Sequence, residues 1–465
     1  MAGFRLDSYR DTPDVKRLRM CSMMKKILII NPWPPYPLNS GGNQAFFNMV
    51  DYMRRYLSVS ILLNPHTSGE RQAVKELKKI WPDVEFFLFE AGDEEKGYSI
   101  KHPLYYKWLK KIQASVARKM RRQLVAHGTQ AVEDNDNEVR RRGTIMNSTF
   151  RNFDSQYVDY VAKVSRMGFD IVEAQFYDLL PLVYVLPDDV QTVFVHHELR
   201  YIRNQNEMKL LKQMTNEDRM LYGVARDFEK GALDSYKHLI VLTETDRTLL
   251  AELLGRTERI YTSPAVIRKS GNVADTFVPA QTNRLVFVGG EDHMPNWDAV
   301  IWFCTGIAPL LRQRGFKFTF QLVGKWNSGD AKRLCEVCPE MEFMGFVDEL
   351  TTFLKGAISI VPIRVGSGMR MKILDAVFAR VPFVTTSKGV EGLDFRSGEE
   401  CLIADEASAF ADAVVRLAED EKLQEKLVQQ AADKLSALYN PQEMLERRMA
   451  IYEQILGEKL LERKA

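Results

Sequence analysis

The sequence predicts an α/β protein of two doubly wound domains facing each other across a cleft. Three observations carry this expectation. Short apolar runs of strand length alternate with helical stretches, the pattern of a parallel sheet with crossover helices. Several runs end in glycine or polar turns, where open α/β sheets place ligands. The 465 residues are too many for one core, so two domains are the default.

Residues 1–24 read as a loose leader, and a first domain is expected over 25–280. Lys26 to Ile30 is its first strand. The proline-rich loop that follows cannot continue helix or sheet, and Gly41-Gly42 then opens an apolar-striped helix. This pair is either a backbone-led anion or sugar contact or a plain helix start; it is no dinucleotide fingerprint, because G-x-G-x-x-G is absent. Val59 to Leu63 and Val84 to Phe89 are the next strands. An insertion at about 91–165 breaks the rhythm. Within it Tyr105 to Val125 is basic and amphipathic, with Trp108, Leu109, Ile112, Val116 and Met120 on one stripe. Two readings stay open: a helix lying on an anionic membrane, or a domain helix with a solvated basic face. Residues 128–148 read as a polar loop. Asp170 to Ala174, Thr192 to Val195 and Leu239 to Leu242 resume the strands, and a helix follows from Asp246 to Leu254.

A second domain is expected over 281–440. Leu285 to Val288 runs into Gly289-Gly290, and a helix spans about Asn296 to Arg314. Phe318 to Val323 ends in Gly324-Lys325, and Glu342-Phe343 is a short strand. The central unit is residues 357–396: an apolar strand from Ala357 to Pro362, the turn Gly366-Ser367-Gly368, a helix bearing Arg370, Lys372 and Asp375, a strand from Val381 to Thr385, and the loop Gly389-x-x-Gly392 with Glu391 inside it. Strand, glycine turn and helix is how such folds build phosphate pockets. Helices fill 407–436. The last segment, 441–465, holds a helix from Gln442 to Gly457 that is a candidate to fold back on the first domain.

Composition excludes some classes. A net charge of +2 gives no general pull toward nucleic acid. Five cysteines suit a reducing, cytoplasmic setting rather than a disulfide framework, and Cys335-x-x-Cys338 reads as structural. No window approaches the roughly 18 apolar residues of a membrane span. No ligand spacing around Glu291, Asp292, His293 or Asp246 supports a metal site, and no cofactor is implied.

Other residues could carry chemistry. Arg370 offers a fork and Lys372 a point charge, a pair suited to a diphosphate. On an ideal helix they diverge by about 200°, so they converge only if Arg370 lies in an irregular first turn. Lys372 and Asp375 share a face, and Asp375 could accept from two ribose hydroxyls. His196 and His197 end a strand, and alternation lets only one face the cleft. Glu173 and Gln175 end another strand and are candidates for the acceptor side. Backbone N–H groups at Gly389 and Gly392, with Glu391, could meet a phosphate or sugar.

Taken together, NSGGNQ at 39–44, HHELR at 196–200, LTETDR at 242–247, FVGG at 287–290, MPNWDA at 294–299, LVGK at 322–325, MGFVDEL at 344–350 and GSGMRMKILDA at 366–376 resemble the retaining glycosyltransferases of family four. The resemblance implies the GT-B fold, two Rossmann-like domains across a cleft. It implies a nucleotide-diphosphate sugar as donor, held mainly by the second domain, and a glycan, lipid-linked or small-molecule acceptor. It places Arg370 and Lys372, with Ser367, Gly368, Met369, Gly289, Gly290 and Lys325, at the donor. Asp375 takes the ribose position, usually Glu, while Gly41 and Gly42 face the diphosphate. His197, or His196 in the other register, lies near the donor sugar. The position eight residues before Asp375 is Ser367, where many members carry Glu, and GGEDHMPN lacks their basic pair. The rival functions are an epimerase or inverting transferase on this fold, and a non-catalytic sugar-nucleotide binder.

Overall fold

The computed structural model describes residues 24–38, 41–90, 133–145, 148, 153–266, 277–280, 283–326, 329–368 and 370–462. The expected leader up to residue 23, the basic stretch at 105–125 and Met369 lie outside them. Two all-parallel sheets organise the chain. The first has the order β3-β2-β1-β4-β5-β6-β7, with β1 Lys26–Ile30, β2 Ser58–Leu63, β3 Glu85–Leu88, β4 Ile171–Gln175, β5 Gln191–His196, β6 His238–Val241 and β7 Ile260–Thr262. The second has the order β10-β9-β8-β11-β12-β13, with β8 Arg284–Val288, β9 Thr319–Val323, β10 Met341–Gly345, β11 Ile358–Val361, β12 Phe383–Thr385 and β13 Leu402–Ile403.

Both sheets are covered on two faces, so their central strands are continuous apolar runs. KILII in β1 is buried from Ile27 onward, and ISIV in β11 is buried throughout. Chain order reverses beside β1 and β4 in the first sheet, and beside β8 and β11 in the second. These two switch points are where such sheets open a crevice for ligands.

The Pro441–Leu456 helix is tightly specified. Asn440 caps it by accepting from the N–H groups of Gln442 and Glu443, and Gly457 ends it at φ 71°. Its Met444, Leu445, Met449, Ile451, Tyr452 and Ile455 join the core formed with Ile27, Ile29, Ile171 and Val193 of the first sheet.

Two expectations change, and two strands are added. Residues Glu133–Arg142 form a helix where a polar loop was expected. It lacks an apolar period because its partners are polar: Asp136 accepts from the Lys212 and Gln213 N–H groups, and Arg140 pairs with Asp218. Val139 alone enters an apolar cluster, with Met294 and Val365 of the second unit. The single helix expected over Asn296 to Arg314 is interrupted. Met294–Trp302 passes through a wide turn at Phe303–Ile307 before Ala308–Gln313, because Pro309 has no N–H to continue the ladder. Finally, β7 and β13, of three and two residues, are strands where none was expected. Among the described residues no helix is long and apolar enough to cross a membrane.

Candidate functional site

The two switch points face each other. After β1 the chain reaches the glycine start of the Gly41–Met53 helix, and after β11 it reaches the Gly366-Ser367-Gly368 turn and the Met371–Phe378 helix. A Cβ on Gly41 would stand 2.4 Å from Cε of Met371, so these helix starts touch. Neither has an acidic residue in its first turn. The positive dipole ends of the two helices therefore converge, an arrangement that favours a negative charge.

Arg370 is the residue before the second helix, at φ −90° and ψ 87°. It lies outside the helical spacing that would send it away from Lys372. Its side chain is buried. Nη1 donates to the Ser367 carbonyl at 2.6 Å and Nε to the Lys388 carbonyl at 3.4 Å, while Nη2 has no hydrogen-bond partner and stands 3.9 Å from Glu391. Lys372 donates to Oδ1 of Asn296 at 3.0 Å and sits over the Phe287 ring. Burial first, then the charge of Arg370, bring its ammonium down to about 8. Asp375 is close enough to oppose that shift.

The glycine turn is fitted to the opposite unit. A Cβ on Gly368 would lie 2.5 Å from the His197 carbonyl oxygen. Ser367 Oγ donates to the Leu199 carbonyl, and Asn206 Nδ2 donates to the Gly366 carbonyl. Gly289 is at φ 150°, and a Cβ there would collide with Asn296 at 2.5 Å. Asn296 Nδ2 donates to the Gly290 carbonyl and Trp326 Nε1 to that of Gly289. Asn296 therefore ties the Gly289-Gly290 turn to Lys372, a role the MPNWDA motif alone did not reveal.

The histidines divide as strand alternation requires. His196 is fully buried and its Nε2 lies 2.7 Å from Glu229, so it is removed from the cleft and its place among the candidate catalytic groups falls away. Glu229 also accepts from the N–H groups of Arg200 and Tyr201. Glu229→Ala would leave all three groups without their acceptor, and unfolding in urea is expected to show a loss of about 3 to 5 kcal/mol. A loss below about 1 kcal/mol would refute that role.

His197 is partly exposed. Its Nε2 meets Oε1 of Gln175 at 2.8 Å, and its ring stacks on Phe176 at 3.9 Å and 6°. Burial, and next the charge of Arg448, lower it to about 3. Phe176 is held at φ 66°, a costly conformation for such a residue, and its ring also meets Trp33. Arg203 and Arg200 outweigh the effect of burial on Glu198 and hold its carboxyl at about 2. Arg203 also reaches His293 of the second unit at 3.4 Å, a cleft contact the sequence did not disclose.

Several candidates do other work. Glu173 is wholly buried, accepting from Tyr452 and Gln175, so it lies beneath the cleft rather than on an acceptor surface. Gln175 is buried too and reaches the cleft only through His197. The Gly389 N–H donates to Thr386 Oγ1 at 2.9 Å, which removes it as a phosphate donor. Gly392 packs on Thr243, where a Cβ would meet Cγ2 at 2.7 Å. Glu391 pairs with Lys388. Lys325 is exposed and 4.0 Å from Asp292. Among the described residues no group of three or more His, Cys, Asp or Glu could hold a metal, and Cys335 and Cys338 are free thiols.

Residues 282–420 match the model of the family Glycosyl transferases group 1. No curated protein matches the chain in sequence. Among solved structures, a mutant of S. aureus TarM in complex with fondaparinux, α-GlcNAc-glycerol and UDP is similar at TM-score 0.59 and 11% identity, over 92% of this chain and 100% of that one. Sucrose-phosphate synthase from Thermosynechococcus elongatus is similar at TM-score 0.61 and 13% identity, over 93% and 100%. The E. coli trehalose-6-phosphate protein bound with UDP-2-fluoro glucose is similar at TM-score 0.54 and 11% identity, over 94% and 100%. At such identities the likeness concerns the fold. The chain has the GT-B fold, two parallel-sheet α/β units, and its residues 282–420 match the glycosyl transferases group 1 model.

Proposed function

We propose that the protein is a retaining glycosyltransferase that moves a hexosyl group from a nucleotide-diphosphate sugar to a hydroxyl acceptor. The observation that carries this reading is the meeting of two glycine-led helix starts with Arg370 and Lys372, opposite His197. Bonds to the departing diphosphate strengthen as the anomeric C–O bond breaks, and fixed cations and N–H groups stabilise that charge without reorganising. The leaving phosphate oxygen then takes the proton of the acceptor hydroxyl, which attacks from the same face. His197, held neutral, adds no positive charge beside an oxocarbenium-like carbon. Asp375 holds the ribose and the second domain the rest of the donor. The UDP and UDP-sugar complexes of the similar folds support a nucleotide in this cleft. The free thiols suit a reducing cytoplasm, with a role in polysaccharide, glycolipid or glycoconjugate synthesis.

The test is incubation with UDP-, GDP-, ADP- and TDP-sugars and sugar acceptors, with the anomeric configuration of the product read by proton NMR. Retention is expected. Inversion or epimerisation would overturn the mechanism, and binding without turnover on any acceptor would overturn the activity.

Lys372 makes a second expectation. Its charged form binds the diphosphate, and the bound anion raises its pKa from about 8. Nucleotide binding should therefore take up protons near pH 8, and affinity should fall as pH rises beyond it. Calorimetry in buffers of different ionisation heat reads the uptake. Equal uptake in the wild type and Lys372→Met would refute the assignment.

A further inference from the structure

We infer that the Pro441–Leu456 helix sets the tautomer of the cleft histidine: Arg448 and Tyr452 are positioning residues for His197, acting through Glu173 and Gln175. The inference rests on the reading of His197 as the group beside the donor sugar, but its geometry stands apart from that reading. Arg448 Nε donates to Ser263 Oγ at 2.8 Å, and Nη1 reaches Tyr452 Oη at 3.4 Å. Tyr452 Oη lies 2.5 Å from Glu173 Oε2, and Gln175 Nε2 lies 2.7 Å from Glu173 Oε1. Gln175 Oε1 faces His197 Nε2 at 2.8 Å. Arg448, Tyr452, Glu173 and Gln175 are all buried, so water cannot rearrange these bonds.

Donor accounting gives the chain a direction. Arginine only donates. The Tyr452 oxygen accepts from it and sends its own hydrogen to Glu173. Both Glu173 oxygens accept, Oε2 from Tyr452 and Oε1 from the Gln175 amide, which turns its NH2 toward the carboxyl. That leaves the amide oxygen facing His197. An amide oxygen accepts, so His197 Nε2 must carry the hydrogen. In the neutral ring Nδ1 is then the bare acceptor. Burial raises the Glu173 pKa overall, and Arg448 is the strongest influence opposing it. Without Arg448 a protonated Glu173 could donate to the amide, the amide could turn over, and His197 would lose its fixed tautomer. The Phe176 ring stacked on the imidazole limits its tilt, so the tautomer is the remaining freedom.

The experiment is nitrogen NMR of 15N-histidine-labelled full-length protein, with the His197 signals assigned by difference against His197→Gln. The wild type is expected to show one neutral tautomer with the hydrogen on Nε2. In Glu173→Gln the new amide can donate toward Gln175, and a mixture or the Nδ1–H form is expected. Tyr452→Phe cuts the link to Arg448 and should also shift the signals toward a mixture. Glu173→Gln is nearly isosteric, which keeps the test open if Tyr452→Phe does not fold. A wild-type His197 in the Nδ1–H form, or an unchanged tautomer in the folded variants, overturns the inference. Full turnover by His197→Ala with the tautomer pattern as expected would instead overturn the role of His197 in transfer and leave the relay standing.

Discussion

Lys372→Ala is expected to lower kcat/KM by about 10²- to 10³-fold, the cost of removing one fixed group that stabilises developing charge. Lys372 is the cleaner probe of the two cations. Its ammonium bonds to Asn296 and sits over Phe287, and neither contact closes a loop by itself. Arg370 also holds the Ser367 and Lys388 carbonyls, so Arg370→Ala removes charge and loosens the turn that carries it. The double variant should have turnover close to background, with a loss smaller than the product of the two single losses, because the cations share one anion. Steady-state kinetics and thermal melting on the same preparations separate loss of charge from loss of fold. A folded double variant within tenfold of the wild type would refute the placement of the diphosphate.

The sheets were legible because buried parallel strands are uninterrupted apolar runs. β1 was expected over Lys26 to Ile30 and occupies those residues. β7 and β13 were missed because IYT and LI stand among mostly polar residues, whereas the equally short β12 continues the apolar run from Val381. The Asn216–Ser235 helix was not singled out either. Its buried face is Asp218, Ala225, Glu229, Ala232 and Leu233, four of the five polar or small, so it lacks an apolar stripe. The proposed donor side draws on places where chemistry and backbone freedom coincide in the sequence, as at Gly366-Ser367-Gly368 with Arg370 and Lys372. It was unreadable where a role depends on residues far apart in sequence. Nothing near Glu173 announces Tyr452, and nothing in HHELR says that His196 meets Glu229. Gly389 misled for a related reason. A glycine frees the backbone, but its N–H had already been taken by Thr386 Oγ1.

Gly368→Ala is expected to cut kcat/KM by about 10²-fold while leaving nucleotide binding to the second domain within a few-fold of wild type. Two effects act at this position. The residue sits at φ 77°, where alanine is strained by about 1 kcal/mol or more. The added Cβ would also stand 2.5 Å from the His197 carbonyl oxygen, a backbone atom of the opposite unit that cannot swing aside. The second domain can relieve this only by backing away from the β5 end, which carries His197. A displacement near 1 Å at a reacting centre is enough for a hundredfold loss. Gly398→Ala separates the two effects. Gly398 is at φ 83° with nothing within 4 Å of a Cβ, so it shares the strain and lacks the collision. It should lose about 1 kcal/mol of stability and keep its turnover. Equal kinetic losses in the two variants would mean that strain alone acts and that the turn does not gauge the fit between the domains. A loss confined to Gly368→Ala would make the 2.5 Å approach to His197 the feature that sets how closely the donor and the histidine are brought together.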